Sequence, residues 1–214
     1  MKQLTNLSKL NSASFFDKET LQRVIEVEDN SLYSNIKRWL KGGELVQLKR
    51  GVYVTDVYIQ SLTEKQSYTE FVANILKQPS YLSGEYMLQK YSMLTESVYT
   101  VTSVTLKKTG KYENSLGTYI YSNIKEELFT GFKITSKSGY EIKEATKAKS
   151  LFDFLYFRLW RLPQITKNYI ESLRINLGEM EESDFIEFES YVKLANLKKL
   201  NNLTIILKEL ANDN

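Results

Sequence analysis

Ser31, Tyr33, Ser34, Asn35, Lys37, Arg38 and Lys41 stand within a stretch of eleven residues. Hydroxyl and amide groups of this kind hydrogen-bond to base edges, and lysine and arginine neutralise phosphates. A second basic pair, Lys49-Arg50, follows just ahead of Gly51. The chemistry these residues suggest is recognition of nucleic acid rather than bond-making. On a recognition helix, Ser31, Tyr33, Ser34 and Asn35 would approach the major groove, with Lys37, Arg38 and Lys41 further along on phosphates. Lys49 and Arg50 would meet the flanking backbone or minor groove. Between Asn30 and Gln60 five basic residues face only two acids, Glu44 and Asp56. A polar, cationic helix face is also what a merely solvated helix presents. The second basic element at the right distance favours DNA.

The residue types that are missing narrow the chemistry further. The 214 residues include no Cys and no His. That excludes thiol nucleophiles, disulfides, imidazole-based zinc sites and Ser–His–Asp catalysis. An enzyme built on this chain would have to work with carboxylates, Lys, Tyr and a metal such as magnesium. The expectation is a non-enzymatic protein without a cofactor or a resident metal. The net charge of +3 is too small for a global field that holds nucleic acid, so the placement of charge matters more than its sum. The longest apolar stretch, Leu151–Trp160, is short and interrupted by Asp153 and Arg158, and Met1–Asn11 holds no signal-like apolar run. A cytoplasmic protein without a membrane partner is expected.

The elements that would position the basic residues can be read from periodicity and punctuation. Leu4, Leu7 and Leu10 suggest a first helix. Asp17 is a good N-cap for a second, with Phe16 and Leu21 at the two positions of a hydrophobic staple and Leu21, Val24 and Ile25 as its buried stripe. Ser31 or Asn30 can cap a third helix running through Lys41. In it Leu32, Ile36, Trp39 and Leu40 recur at i, i+4, i+7 and i+8, which turns the polar set outward. Gly42-Gly43 ends it. Glu44–Leu48 and Val52–Val54 flank the Lys49-Arg50-Gly51 turn as a hairpin. Helix, turn, helix and hairpin in this order is a winged helix-turn-helix over residues 1–60.

Residues 61–214 read as a mixed α/β domain with a helical tail from 146, making the chain α+β as a whole. A helix is expected from Leu62 to Lys77, before Pro79, and another from Gly84 to Met93. Strands are expected at Tyr81–Ser83, Ser97–Leu106 and Thr118–Ser122, and at Phe132–Ser136 and Tyr140–Lys143 about Ser138-Gly139. The tail has helical periodicity with breaks at Pro163, Gly178 and about Asn196.

The stretch Trp39-Leu40-Lys41-Gly42-Gly43-Glu44-Leu45-Val46-Gln47-Leu48-Lys49-Arg50-Gly51-Val52-Tyr53 resembles the winged-helix end of AbiEi-type antitoxins, in which a helix ends in Lys-Gly and a strand leads into an Arg-Gly-x-Tyr turn. Tyr81-Leu82-Ser83, Leu88, Tyr91, Val98–Thr102, Gly117–Tyr121 and Leu128–Phe132 are similar to that family's middle segments in the same order. Ala145–Asp153 resembles its Ala-Thr-Pro-Glu-Lys-Ala-Leu-x-Asp element, although Lys147-Ala148 stands where Pro-Glu is usual, and upstream Met93 stands where Gly is expected. The likeness spans about residues 14 to 160. It implies a transcriptional autorepressor binding inverted repeats of double-stranded operator DNA. It further implies a type IV toxin–antitoxin (abortive-infection, phage-defence) system whose toxin is a nucleotidyltransferase, paired functionally without a stable complex. Inverted repeats would be read by two copies, a homodimer on DNA being one arrangement.

Other signals point elsewhere. Glu141-Ile142-Lys143, with Glu126 and Glu127 upstream, has the acid-x-Lys spacing of magnesium nucleases, and a DNA-binding nuclease is the alternative function. An interaction protein whose winged helix binds another protein is a third. Thr109-Gly110-Lys111 lacks the first glycine of a phosphate loop. Lys107, Lys108 and Lys111 form an acid-free cluster that would extend a nucleic-acid surface or simply be solvated. The acidic run Glu179, Glu181, Glu182, Asp184, Glu187 and Glu189 suits a helix start. Asp153, among apolar neighbours, is expected to be buried with a hydrogen-bond partner.

Overall fold

Asp17 opens the second of the helices expected from sequence, and it does so by capping it. The description rests on a computed structural model, which describes residues 6–26, 28–159, 162 and 165–212, the side chains of Asp29 and Asn30 excepted. Strand β1 (Phe16–Asp17) leads into α1 (Lys18–Ile25), and the Asp17 carboxylate accepts from the Thr20 N–H at 2.7 Å. Phe16 and Leu21 are both buried in one cluster, and with them Ile25, while Val24 is half-buried.

Helix α2 (Asp29–Gly42) follows, and then the hairpin β2 (Leu45–Lys49) and β3 (Val52–Thr55). Helix α2 begins earlier than Ser31: its cap position is Glu28, whose extended backbone lets its carbonyl accept from Leu32 N–H at 2.9 Å. The Asn30 side chain, Leu4 and Pro163, each given a role from sequence, lie outside the described residues. Gly43 closes α2 with φ +83°, a conformation open to glycine at little cost. Strand β3 pairs antiparallel with both β1 and β2, giving a three-stranded sheet ordered β1-β3-β2. Leu7, Leu10, Leu21, Leu32, Ile36, Trp39 and Leu45 form the core beneath it.

Beyond the hairpin lie α3 (Asp56–Gln60), α4 (Lys65–Leu76), β4 (Ser80–Leu82), α5 (Glu85–Lys90), β5 (Val101–Thr105), β6 (Gly110–Asn114), β7 (Gly117–Asn123), β8 (Phe132–Lys137) and β9 (Tyr140–Ala145). The expected helix over 62–77 is thus α4 alone, with α3 separate, and the strand over 97–106 is confined to 101–105. The six strands β4–β9 form one mixed sheet, ordered β6-β7-β5-β4-β9-β8. Strands β5 and β7 run parallel, as do β4 and β9. The chain ends in α6 (Lys147–Leu159), α7 (Lys167–Ser172), α8 (Glu182–Ala195) and α9 (Leu203–Asn212). The described residues therefore form an α+β fold. Thr146 Oγ1 accepts from Lys149 N–H at 3.1 Å, so α6 starts without the Pro-Glu pair.

Alternation along the strands sends side chains to two cores. Leu82, Val101, Tyr119, Tyr121 and Ile142 meet Tyr68, Val72, Ala73 and Leu76 of α4 on one face, together with Leu48 and Val54 of the hairpin. Tyr81, Val104 and Ala145 meet α6, α8 and α9 on the other. The hairpin is fastened to this sheet: Asn114 Nδ2 donates to Leu48 O at 3.0 Å. Tyr68 OH donates to Ser14 O at 2.7 Å, tying α4 to the segment before β1.

Among the described residues no helix is long and apolar enough to cross a membrane. Asp153 is fully buried and hydrogen-bonded, as its apolar neighbours suggested. The acidic run is absorbed locally. Glu181 and Asp184 form a capping box at the start of α8, Lys147 pairs with Asp184 at 3.2 Å, and Lys208 pairs with Glu182 at 2.7 Å.

Candidate nucleic-acid interface

Burial divides α2 cleanly. Leu32, Ile36 and Trp39 are buried, and Ser31, Tyr33, Ser34, Lys37, Arg38 and Lys41 are exposed. Tyr33 is the most conspicuous of these, a large ring 60 % exposed. Lys18, the first residue of α1, donates from Nζ to the Tyr33 hydroxyl at 3.1 Å and sits 4.2 Å from the ring centroid. The Lys18 N–H also donates to Gly51 O at 3.1 Å, so the hairpin turn is held against the start of α1. Gly51 adopts φ +80° to make that turn. Lys18 is a member of this surface that was not singled out from sequence; its place at the start of α1 says nothing of the tyrosine it meets.

Three elements therefore present their polar groups together: the start of α1, the outer face of α2 and the turn carrying Arg50. The Tyr53 phenol registers all of them. Burial pushes it above its usual value, the Gly51 backbone hydrogen bond and the nearby Lys18 and Arg50 charges act against that, and Tyr33 adds to it. Among the described residues Lys37, Lys41 and Arg50 have no ion pair.

Two of the expected outward residues are placed differently. Asn35 is only 5 % exposed: it lies at the edge of the inward stripe and does not face solvent. Its Oδ1 accepts from Arg38 Nη2 at 3.0 Å, and its Nδ2 is buried without a hydrogen-bond partner. Lys49 is half-buried and does not reach outward from the turn. A register shift between Gln47 and Lys49 in the β2–β3 ladder re-aims it, and its Nζ donates to Leu76 O at 2.9 Å and Ile75 O at 3.4 Å. It thereby satisfies carbonyls at the end of α4, where a cation also meets the negative end of the helix dipole. Burial, and then the nearby Lys107 and Lys77 charges, lower its pKa.

That last pairing links the hairpin to the neighbouring sheet. Lys77 follows α4 and lies 5.7 Å from the Tyr112 ring centroid, and Lys107 and Lys108 are exposed in the turn before β6. None of Lys49, Lys77, Lys107 and Lys108 has an ion pair among the described residues, whereas Lys111 pairs with Glu113 at 3.1 Å. Like charges held together without an acid repel one another, and a polyanion relieves that repulsion.

No protein-family model matches the chain, and no curated protein matches it.

The carboxylates of the alternative reading do not gather. Glu141 and Lys143 are exposed on β9, Glu126 and Glu127 are exposed in a short 3-10 turn, and among the described residues no group of three or more acids is placed to share a metal ion. The buried acids are used in ion pairs: Glu70 and Glu144 are each bound by Lys90 and Lys137, with Lys90 at 2.5 Å from Glu70 and 3.8 Å from Glu144. A cleft of about 540 Å³ lies between β5, β7 and α6, and several of its polar groups bond within the protein, although Ser103, which also lines it, has a buried hydroxyl with no partner among the described residues. There Thr102 Oγ1 donates to Ser83 O at 2.5 Å, and Ser83 Oγ to Asp153 at 2.7 Å.

Proposed function

We propose that this chain is a sequence-specific double-stranded-DNA-binding repressor, with residues 1–60 acting as a winged helix-turn-helix and residues 61–214 as the domain that packs beside it. The observation that carries the reading is the shared surface of Lys18, Tyr33, Lys37, Lys41 and Arg50, drawn from α1, α2 and the hairpin turn. The order helix, helix, hairpin, with β1 as the third strand, supports it, because this arrangement leaves one face of the second helix open to a major groove. Phosphate contacts by Lys37, Lys41 and Arg50 would set register, and the polar groups of α2 would read bases. The ridge of Lys77, Lys107 and Lys108 lies past the hairpin and would meet the DNA flank.

The similarity to AbiEi-type antitoxins gives this repressor its context. It is read as the non-enzymatic, cytoplasmic antitoxin of a type IV system, repressing its own operon through inverted repeats bound by two copies and countering a nucleotidyltransferase toxin without a stable complex. The test is a mobility shift with the DNA immediately upstream of the gene at two salt concentrations, comparing wild type with a Lys37→Ala/Arg50→Ala variant. Sequence-selective, salt-sensitive binding lost in the variant supports the repressor. Equal binding by both proteins, or none by either, rejects the assigned surface.

A further inference from the structure

Helix α6 covers only part of the sheet face it packs on, and the cleft of about 540 Å³ lies where that cover stops. Thr102 and Val104 of β5 and Ile120 and Ser122 of β7 share this face, by the alternation that sends Val104 into the core beneath α6. Val104 is buried there, whereas Ile120 keeps 38 % of its surface exposed. Phe154, Phe157 and Arg158 of α6 form one side of the cleft, and residues 97–100, ahead of β5, form its mouth. At that mouth Tyr99 is 90 % exposed, and no other ring stacks on it among the described residues.

The chemistry of the walls selects an occupant. Val104, Ile120 and the phenylalanine rings suit a flat apolar body. The side chains of Ser97, Thr100 and Ser122 make no hydrogen bond to a described residue. A hydroxyl both donates and accepts, so a ring with nitrogen or carbonyl groups along its edge can bond to them, which a hydrocarbon cannot. Charge is balanced at the rim. Arg158 Nη2 donates to Glu85 Oε1 at 3.1 Å, and the Arg158 guanidinium carbon lies 4.4 Å from the Phe154 ring centroid. That pair presents no net charge to attract an ion, while Glu85 Oε2 takes no part in it and can accept from a hydroxyl. The space is larger than a lone ring needs and falls within the roughly 300–1,000 Å³ of sites that hold compounds of several rings.

We propose that this cleft binds a small uncharged molecule made of a heteroaromatic ring and a hydroxylated appendage, the class to which nucleosides belong. The ring lies over Ile120 with its edge toward the Ser122 hydroxyl, and Tyr99 offers it a second ring to stack on. The appendage meets the Glu85–Arg158 rim. The site belongs to residues 61–214 and does not depend on the DNA surface of residues 1–60.

The test is calorimetric titration of the full chain with adenosine, guanosine, cytidine and uridine, and with their 5′-monophosphates. At least one nucleoside is expected to bind saturably, with a Kd of about 1 mM or tighter. Ile120→Trp fills the space over β7 and is expected to weaken that binding by roughly tenfold or more. Tyr99→Ala removes the stacking ring and is expected to weaken it by about fivefold or more. Tyr99 is exposed and makes no side-chain bond to a described residue. Its variant should therefore unfold at the wild-type midpoint, and it decides the matter alone if Ile120→Trp does not fold. No saturable binding by any of the nucleosides, or binding that a folded variant leaves as in wild type, overturns the inference. So does a monophosphate bound about tenfold more tightly than its nucleoside, which would make Arg158 a receptor for an anion. None of these outcomes touches the DNA-binding reading, which the mobility shift tests separately.

Discussion

Lys149 Nζ lies 2.8 Å from Asp153 Oδ1, one turn apart on α6, and neither side chain has any exposure. The ammonium also donates to Leu128 O at 2.8 Å and lies 4.7 Å and 5.0 Å from the ring centroids of Phe152 and Tyr191. The Asp153 Oδ2 accepts from Ser83 at 2.7 Å and Tyr81 at 3.0 Å. The pair thus staples α6 to β4 and to the turn after β7. Two buried charges hold each other in place, and removing one strands the other.

Lys149→Met is therefore expected to cost about 3–5 kcal/mol of stability, and Lys149→Met with Asp153→Leu to cost clearly less. Urea unfolding of the two variants measures this; a double variant worse than the single would show that the pair is not coupled. The pH dependence has a definite sign. Burial raises the Asp153 pKa in the folded protein above its usual 3.8, and Lys149 is the main influence opposing that. Without Lys149 the folded state holds a proton that the unfolded state releases, so stability is lost as pH rises. Wild type shares that loss until the pH passes its own raised Asp153 value, and only above that value should the deficit of Lys149→Met grow.

Asp17 gives the opposite dependence. Its carboxylate accepts from the Thr20 backbone and side chain, which lowers its pKa, with Arg23 adding a smaller effect in the same direction. A lowered carboxylate contributes stability that is present above the unfolded value of 3.8 and is lost as pH falls through the folded value. Asp17→Ala should cost about 1 kcal/mol at pH 7. The gap between variant and wild type should close as the pH drops below 3.8. A gap that persists in acid would mean that the cap is not what Asp17 contributes.

How much of this was open to sequence reading depends on how far apart the partners lie. The caps at Asp17 and Gly43, and the buried set Leu32, Ile36 and Trp39, are local facts that spacing reveals. Asn35 is a near miss of the same kind. It stands four residues before Trp39, roughly 40° around the helix, so it falls on the margin of the apolar stripe where residue type misleads. Lys49 is different: only the register shift and the passage of α4, almost thirty residues later in the chain, turn it inward. Strand β6 escaped notice because Gly110-Lys111-Tyr112-Glu113-Asn114 lacks branched residues and alternates half-buried with exposed positions, as an edge strand can. The Glu70, Lys90, Lys137 and Glu144 cluster joins residues from α4, α5, β8 and β9, and no short-range pattern announces it.

The ridge beyond the hairpin makes a prediction about salt. Lys77→Ala combined with Lys107→Ala removes two cations that crowd Lys49, so the fold should be no less stable. If both meet phosphates, the slope of log binding constant against log salt should fall by about two, while preference among sequences is unchanged. An unchanged slope would confine DNA contact to α1, α2 and the turn.

Lys49 and Arg50 are neighbours with opposite duties, and substituting each separates them. Lys49 Nζ serves Leu76 O and Ile75 O at the end of α4, so Lys49→Ala leaves carbonyls there without their donor. It should lower stability by roughly 1 kcal/mol. Its effect on DNA binding should be small, because the ammonium is already engaged within the protein. Arg50 is exposed, has no ion pair among the described residues, and lies on the turn held by Lys18. Arg50→Ala should leave the unfolding midpoint within error. It should weaken binding to all duplexes alike and lower the salt slope by about one. Unfolding curves and salt titrations of the two variants would be measured side by side. If Lys49→Ala behaved as Arg50→Ala does, Lys49 would have to leave α4 on binding, and the hairpin would not be the fixed element that its bond to Asn114 makes it.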